Sequence, residues 1–392
     1  MVHAPDKHLM AIFRPIRDRC GVTLVELIVA MGIFATAIVG LYTVYDKLLQ
    51  HQSREYSLSE SEMEMGIAKS LIERDLIMAG YGIMDDYSGY SAALVLAVSA
   101  TDGGSNPDIL TLRGTALGIG SQAAQKWASV ADVVAGTPSF SVSDDARENL
   151  KTGDRIIITN PSGGSDAKTK TLLTQGASWL FSYVSTTSNP VSVPGGVPFP
   201  SLHPGYLLYA LNVPGETDAS VPYYTVRYSL GSMVSSTNPL NCAPQTGSLL
   251  RAESRTSTTP GSGDPVMSCV LDFQVAFGIT DNTASFDPTL AVNFPINKWD
   301  SGAVSAAYSP LELKQRLKQI RVYILIQEGN KDMTYTYVNP DPNAAAPDKI
   351  RVGELDLVGG ATGRDVQLTT AQRNYRWRVL TVIVTPRNIR AN

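Results

Sequence analysis

The chain has 392 residues, with 32 basic and 36 acidic side chains and a formal net charge of −4. This balance excludes the strongly basic surface that a nucleic-acid partner requires. Only 17% of the residues are charged, while Gly, Ser, Thr, Asn and Pro are frequent beyond Gly80, which is typical of a turn-rich β protein. We therefore expect a folded, β-rich region with no direct role in nucleic-acid binding.

The most apolar segment is residues 22–45, in which Glu26 is the only Asp, Glu, Lys, Arg or His. A helix over this segment is about 36 Å long, which exceeds the ~30 Å hydrocarbon core of a bilayer. Residues 1–21 carry four basic and two acidic side chains, and basic flanks stay in the cytoplasm. The sequence predicts one membrane span with a cytoplasmic N-terminus and the remaining chain outside.

A small residue, Gly21, precedes the apolar segment, whereas an ordinary secretory signal is cut after it. The order of a basic leader, a glycine and then V-T-L-V-E resembles the type III signal of type IV prepilins and pseudopilins. The resemblance implies that prepilin peptidase removes residues 1–21, a leader that Met10 would shorten if it were the initiator. Val22 becomes the methylated N-terminus in place of the usual Phe, and Glu26 is the acid at mature position five.

Glu26 has a physical cost at this position, because a bare carboxylate deep in lipid costs about 2.5 kcal/mol or more. The freed amine of Val22, from the same chain or a neighbouring subunit, is a candidate partner. We expect this pair to form when the helix leaves the bilayer for a filament core. The alternative is an interfacial glutamate in a plain N-terminal anchor.

An amphipathic stalk helix is predicted over residues 46–79, continuing the membrane helix of 22–45. Gly80 and Gly82 should end it, since glycine is favoured just past a helix end. We expect four apolar residues to share its packing face: Tyr56, Met63, Ile67 and Leu71.

The head, residues 80–392, contains short strand-like runs bounded by turn residues. They are Asp108–Arg113, Arg155–Thr159, Tyr206–Leu211, Tyr223–Tyr228 and Val270–Phe277. Near the end, Ser309, Pro310 and Glu312 form a capping-box signature that opens a short helix to about Gln319. Three further strands should pair as an antiparallel sheet: Ile320–Gln327, Met333–Val338 and Tyr375–Thr385. The Gly/Ser/Pro-rich stretches 114–150, 160–205, 229–265 and 339–370 should contain long loops.

Two cysteines remain after the leader and Cys20 are removed, Cys242 and Cys269. An even pair in an oxidising compartment is most simply a disulfide. Two separate buried thiols are the alternative.

A narrower resemblance, to PilW-type minor pilins, begins with E-R-D-L-I-M-A-G-Y-G at residues 73–82, where an Arg-Asp-Leu core precedes Ala-Gly-Tyr. Further pieces follow in the family's order: Gly153-Asp154, Ser248–Arg251, Phe273–Gly278, Leu317–Ile326 and Thr381–Asn388. This chain differs by its extra loop length. The resemblance implies an α+β, type IV pilin-like fold, with a long hydrophobic helix on an antiparallel β-rich head.

The same resemblance implies a location and a set of partners. The protein would reside in the inner membrane with a periplasmic head and then move to the pilus tip. There it would prime assembly and support adhesion, twitching motility or DNA uptake. Its expected partners are prepilin peptidase, other minor pilins, the major pilin, membrane lipid before assembly and a possible tip adhesin.

The sequence offers no clustered acid, base or nucleophile, so we expect neither an enzyme nor a cofactor or metal site. Its histidines and cysteines are too few for a zinc site if the cysteines are bridged, and the carboxylate-rich turns at 102–108, 144–145 and 281–287 do not match EF-hand spacing. Two alternative functions stay open. They are a minor pseudopilin of type II secretion and a membrane-tethered module that binds surfaces or glycans.

Overall fold

The computed structural model describes residues 23–87, 90, 95–118, 126–161, 169–185, 190–192, 201–211, 221–232, 242–254, 260–280, 295–301, 308–340, 346–354 and 362–389. One long helix, α1, runs from Leu24 to Met78, and antiparallel strands follow it. This confirms the predicted α+β class. The chain forms two compact units divided after Tyr56, so the last part of α1 belongs to the same unit as the strands.

Two antiparallel sheets and a hairpin make up the strands that the structure describes. The first sheet, in spatial order, contains β1 (Val98–Thr101), β2 (Ile109–Gly114), β10 (Tyr224–Leu230), β11 (Gly247–Ser254), β12 (Asp264–Ile279), β14 (Leu317–Glu328) and β17 (Arg376–Val384), with β13 (Lys298–Asp300) beside β12. The second contains β4 (Thr137–Ser141), β3 (Trp127–Val134), β9 (Leu207–Ala210), β5 (Arg155–Asn160), β7 (Phe181–Tyr183) and β8 (Val191–Ser192), with β6 (Thr171–Leu172) beside β5. The hairpin is β15 (Lys349–Glu354) and β16 (Thr362–Gln367).

The first sheet is covered on both faces, which explains why β12 is buried continuously from Val270 to Ile279. The C-terminal part of α1 packs in one apolar core with β2, β10, β12 and β14. The β15–β16 hairpin contributes Ile350 and Val352 to a separate core with Tyr323 and Leu325 of β14. The second sheet has its own core, built around Ile156, Phe181 and Leu208.

The predicted packing face of the stalk was wrong. Met63 and Ile67 are 66% and 63% exposed, and the side chains that pack on the sheet are those of Met65, Ala68, Ile72 and Leu76. These positions lie on the opposite side of the helix from the predicted ones, at about 100° per residue. Both faces carry apolar residues. Only the observed face combines a small residue, Ala68, which allows close approach, with a charged residue, Asp75, that has a buried partner.

The end of α1 follows the prediction. The helix stops at Met78, and Gly80 and Gly82 take positive φ angles of 85° and 67°, which glycine adopts without strain. Gly80 is also confined, since a Cβ there would lie 2.7 Å from Ile389 Cγ1.

Two local predictions in the head are also confirmed. Helix α2 (Pro310–Arg316) begins with the Ser309–Glu312 capping box, although β14 starts at Leu317 and ends the helix sooner than expected. Cys242 and Cys269 form a disulfide with their Cα atoms 5.1 Å apart. Cys269 lies where the register between β11 and β12 is irregular, and its φ is 52°.

One predicted strand is absent: Met333–Val338 is irregular. The Asp332 side chain accepts the backbone N–H of Thr334 at 3.0 Å, and the Asp332 carbonyl accepts that of Tyr335 at 3.1 Å. This turn takes backbone donors that a strand would offer to its neighbour. The predicted strands on either side of it, β14 and β17, pair directly with each other. Conversely, all four stretches predicted to contain long loops also contain strands that the sequence did not reveal. These are β3 and β4 in 114–150, β6 to β8 in 160–205, β11 in 229–265 and the β15–β16 hairpin in 339–370.

Candidate assembly site

The described chain begins at Thr23, at the end of α1 that the sequence predicts to be processed. Thr23 precedes the first helical residue, and its Oγ1 accepts the backbone N–H of Glu26 at 3.2 Å. In return, the Glu26 carboxylate accepts the backbone N–H of Thr23 at 2.9 Å and its hydroxyl at 2.9 Å. This reciprocal pair is a capping box, which satisfies two of the backbone donors that every helix start leaves open. Glu26 is therefore held in place by its own chain.

Both bonds accepted by the Glu26 carboxylate end on Oε2. No described residue donates to Oε1, so that oxygen can accept a second partner without breaking the cap. The predicted processing residues, Gly21 and Val22, lie outside the described residues. Their predicted cleavage and pairing with Glu26 stay predictions.

The N-terminal part of α1 is apolar and exposed along its length. In the described chain, α1 is the one helix long and apolar enough to cross a membrane, with a mean hydropathy of 2.4 in its most apolar window and none of that window buried. The large side chains of Leu24, Leu41 and Tyr42 are each more than 70% exposed. Because exposing this much apolar surface to water is energetically unfavourable, the segment needs lipid or other apolar helices around it.

A buried ion pair fixes the other end of α1 to the head. Asp75 has no exposed surface, and its Oδ2 lies 2.7 Å from Arg251 Nε on β11. The hydroxyl of Tyr228, on β10, donates to the same oxygen at 2.7 Å. Arg251 also reaches Glu253 at 2.9 Å. Asp75 and Arg251 lie in separate motifs of the narrower resemblance, and the sequence alone does not predict that they pair.

The protonation states of this cluster follow from its surroundings. Burial raises the pKa of Tyr228 well above its usual value, and the charge of Asp75 adds to this effect, so the phenol remains a hydrogen-bond donor. Burial alone would lower the pKa of Arg251. The hydrogen bond and charge from Asp75 outweigh it and raise that pKa, so the guanidinium stays charged.

Three further polar contacts hold the same part of α1. Glu64 Oε1 accepts the backbone N–H of Ser268 at 2.6 Å, and the Ser61 hydroxyl accepts that of Gly329 at 3.2 Å. At the end of the helix, the Asn388 amide donates to the carbonyl of Ile77 at 2.8 Å, where helix carbonyls lack an internal partner. The segments 73–82, 248–251 and 381–388, which carry the narrower resemblance, thus meet at the end of α1.

The carboxylate-rich turns serve the fold where they are described. Asp108 is buried and accepts backbone N–H groups from Gly103 and Val275, at 2.9 and 2.8 Å. Burial raises the pKa of Asp108 to about 6. The Asp145 carboxylate pairs with Arg147 at 2.7 Å, and the turn at 281–287 lies outside the described residues. Within the described ranges, no three His, Cys, Asp or Glu side chains are grouped to hold a metal ion.

Residues 16–42 match the family model described as the prokaryotic N-terminal methylation motif. This match covers the end of the predicted leader, the predicted cleavage site at Gly21, Glu26 and most of the apolar segment. It supports a type IV pilin-like protein, of a pilus or a pseudopilus, with processing by a prepilin peptidase and with other pilins as partners. No curated protein and no solved structure matches the chain.

Asp75→Ala should lower the free energy of unfolding by about 3–5 kcal/mol, because it removes the buried partner of Arg251 and leaves that buried charge only the partly exposed Glu253. Adding Arg251→Met should recover most of this loss, since no charge then remains to be desolvated. Glu73→Ala is the matched control: its exposed pair with Lys69 is worth about 0.5 kcal/mol or less. Denaturant unfolding of the full chain measures all three. A double variant less stable than Asp75→Ala would contradict the buried-charge explanation.

The contribution of Asp108 to stability should fall as pH rises. Because its folded pKa, about 6, exceeds its unfolded value, its stabilising contribution is complete below the unfolded pKa and is lost as pH rises through about 6. The stability of the wild type relative to Asp108→Asn should therefore decrease by about 2 kcal/mol from pH 4.5 to 7.5. Chemical unfolding at both pH values tests this. A difference that is flat or grows with pH would refute it.

Proposed function

We propose that the chain is a minor pilin of a type IV pilus system, cut after Gly21 by prepilin peptidase and incorporated at or near the filament tip. The observation that carries this proposal is the methylation-motif match at residues 16–42, on a helix whose apolar surface is exposed. Its role is structural rather than catalytic. It acts with other minor pilins to prime assembly for adhesion, motility or DNA uptake.

The helix supplies the assembly surface in this proposal. Before assembly, the apolar residues of α1 contact inner-membrane lipid, with the head in the periplasm. In the filament, the same residues contact the helices of neighbouring subunits. Glu26 enters that environment with Oε2 occupied by Thr23, and Oε1 accepts the amine of Val22 from its own or an adjacent chain.

The head supports a tip or sub-tip position over repeated incorporation along the shaft. It carries two separate β-sheets and a hairpin in addition to the part of α1 packed on it. Helical subunits along a shaft are closely spaced, and so large a head would clash with its neighbours. At the tip, such a head meets fewer neighbours and can contact a tip adhesin.

The charge of Glu26 can be separated from its cap by substitution. Glu26→Gln keeps an oxygen that caps Thr23 but removes the charge, and Glu26→Ala removes both. Thr23→Ala keeps the charge and removes the hydroxyl contacts of the cap, while the backbone N–H of residue 23 still donates to Glu26. We expect Glu26→Gln and Glu26→Ala to reduce the amount of the protein in sheared pili by about tenfold, which corresponds to losing about 1.4 kcal/mol of pairing energy. Thr23→Ala should assemble normally.

N-terminal sequencing of the same samples reports processing, which should begin at Val22 in all four proteins. A different first residue in the wild type would contradict the pilin proposal itself. Correct processing with full incorporation of both Glu26 variants would instead contradict only the role of the charge.

Deletion of the gene distinguishes the proposed pilus from other machines. We expect the deletion strain to lose surface pili, counted by electron microscopy, and to regain them with the wild-type chain. The methylation motif also supports a type II secretion pseudopilin, for which the deletion would impair secretion and leave pili intact. Intact pili with lost attachment would favour the tethered binding module.

A further inference from the structure

β17, whose nine residues read RWRVLTVIV, is the last strand of the first sheet in the part of the chain that the structure describes. β17 pairs on one side with β14 over its whole length. Among the described residues, nothing makes a backbone hydrogen bond to its other side. In an antiparallel pair, alternate residues direct their N–H and C=O groups away from the partner strand. This edge therefore presents a row of backbone donors and acceptors.

Other sheet edges in the described chain carry features that block pairing. β1 has four residues, β4 contains Pro138, and β16 carries Arg364 and Asp365. Short length, proline and charge are the means by which proteins protect strand edges. From Val379 to Val384, β17 has none of them: it reads VLTVIV, which is rich in β-branched residues.

The charge around β17 indicates what kind of strand would bind. From Val366 to Asn392 the sequence has five arginines and no Asp, Glu or Lys, in a chain that is acidic overall. Arg378 and Arg376 on β17 pair with Glu328 and Asp332, at 3.0 and 3.7 Å, while Arg387 is exposed. The charges of Arg376 and Arg378 are therefore compensated. Arg373 before β17 and Arg387 after it have no carboxylate partner among the described residues, so the two ends of the edge are net basic. A second copy of the chain would bring a second set of arginines to it, which disfavours self-pairing.

We propose that β17 is an acceptor edge for a donated β-strand, and that the occupant is an extended, acidic, β-branched segment of another polypeptide. Main-chain hydrogen bonds to β17 supply the affinity, and carboxylates facing the arginines select the partner. Ile383, which is 50% exposed, contacts the side chains of the added strand. This proposal goes beyond the pilin role and does not depend on it.

A synthetic acidic strand, EVTVEVTVE, provides the probe, with the full chain in detergent micelles. Hydrogen–deuterium exchange should show about tenfold slower exchange of amides within residues 376–384 when the peptide is bound, equivalent to about 1.4 kcal/mol of protection. The basic peptide KVTVKVTVK and the proline-containing EVTPEVTVE should give none. Equal protection by either control peptide, or no protection by the acidic one, would overturn the proposal.

Substitutions at Ile383 test the edge directly. Ile383→Glu should weaken peptide affinity, measured by fluorescence anisotropy, by about tenfold or more through like-charge repulsion, while Ile383→Thr, which stays β-branched, should bind nearly as well as the wild type. Val134→Glu, at a 67% exposed position away from this edge, is the position control and should bind normally. Equal affinity of all variants would overturn the assignment to β17. Concentration-dependent dimers that protect β17 without peptide would overturn the acidic partner.

Discussion

The buried ion pair between Asp75 and Arg251 determines how the last part of α1 lies on the head. Two charges removed from water are tolerated only when they meet with good geometry, and here one carboxylate oxygen accepts from both Arg251 and Tyr228. A rotation of α1 that buried Met63 and Ile67 would move Asp75 away from β11 and leave both charges uncompensated. The pair thus selects one of two apolar helix faces and leaves the other exposed. Hydrophobic burial stabilises the contact, but the charges specify its register.

Several contacts depend on this register because they lie at the end of the same helix. With α1 fixed, the backbone N–H of Gly80 donates to the carbonyl of Arg113 on β2 at 2.9 Å, and the backbone N–H of Thr115 donates to the carbonyl of Tyr81 at 2.8 Å. Farther along the chain, the backbone N–H groups of Asp85 and Asp86 both donate to the carbonyl of Lys170, which precedes β6. The ten residues after the helix therefore connect both sheets. A change in the rotation of α1 would disturb the first sheet at β2 and the second at β6.

The elements predicted from the sequence are those whose signals are local. The capping box at Ser309, the glycines after α1 and the strand-like compositions of β14 and β17 are each contained within a few residues, and all are present. The hairpin β15–β16 escaped prediction because TGRDVQ has a poor strand composition. It is held by Arg364, which pairs with Asp272 on β12 at 2.7 Å across 92 residues of sequence. The prediction of the packing face of α1 failed because it too depends on a long-range contact, since Asp75 and Arg251 are 176 residues apart. The Thr23–Glu26 capping box joins residues only three positions apart, so its signal is local, but it lies inside an apolar segment in which the carboxylate is more readily assigned to a distant charge partner.

That capping box changes the energetic account of Glu26 in the proposed pilin. A carboxylate with two hydrogen bonds from its own chain pays less to sit in an apolar environment than a bare one. The Glu26 carboxylate then does not by itself force the helix out of the bilayer. A partner amine can form a hydrogen bond only to Oε1 and an ion pair with the remaining charge. Under these conditions the ion pair contributes a modest stabilisation of about 1.4 kcal/mol, which is lost in every register in which the amine misses Oε1. Glu26 would thus set the axial position of one helix against the next, as Asp75 sets the rotation of α1 on the head.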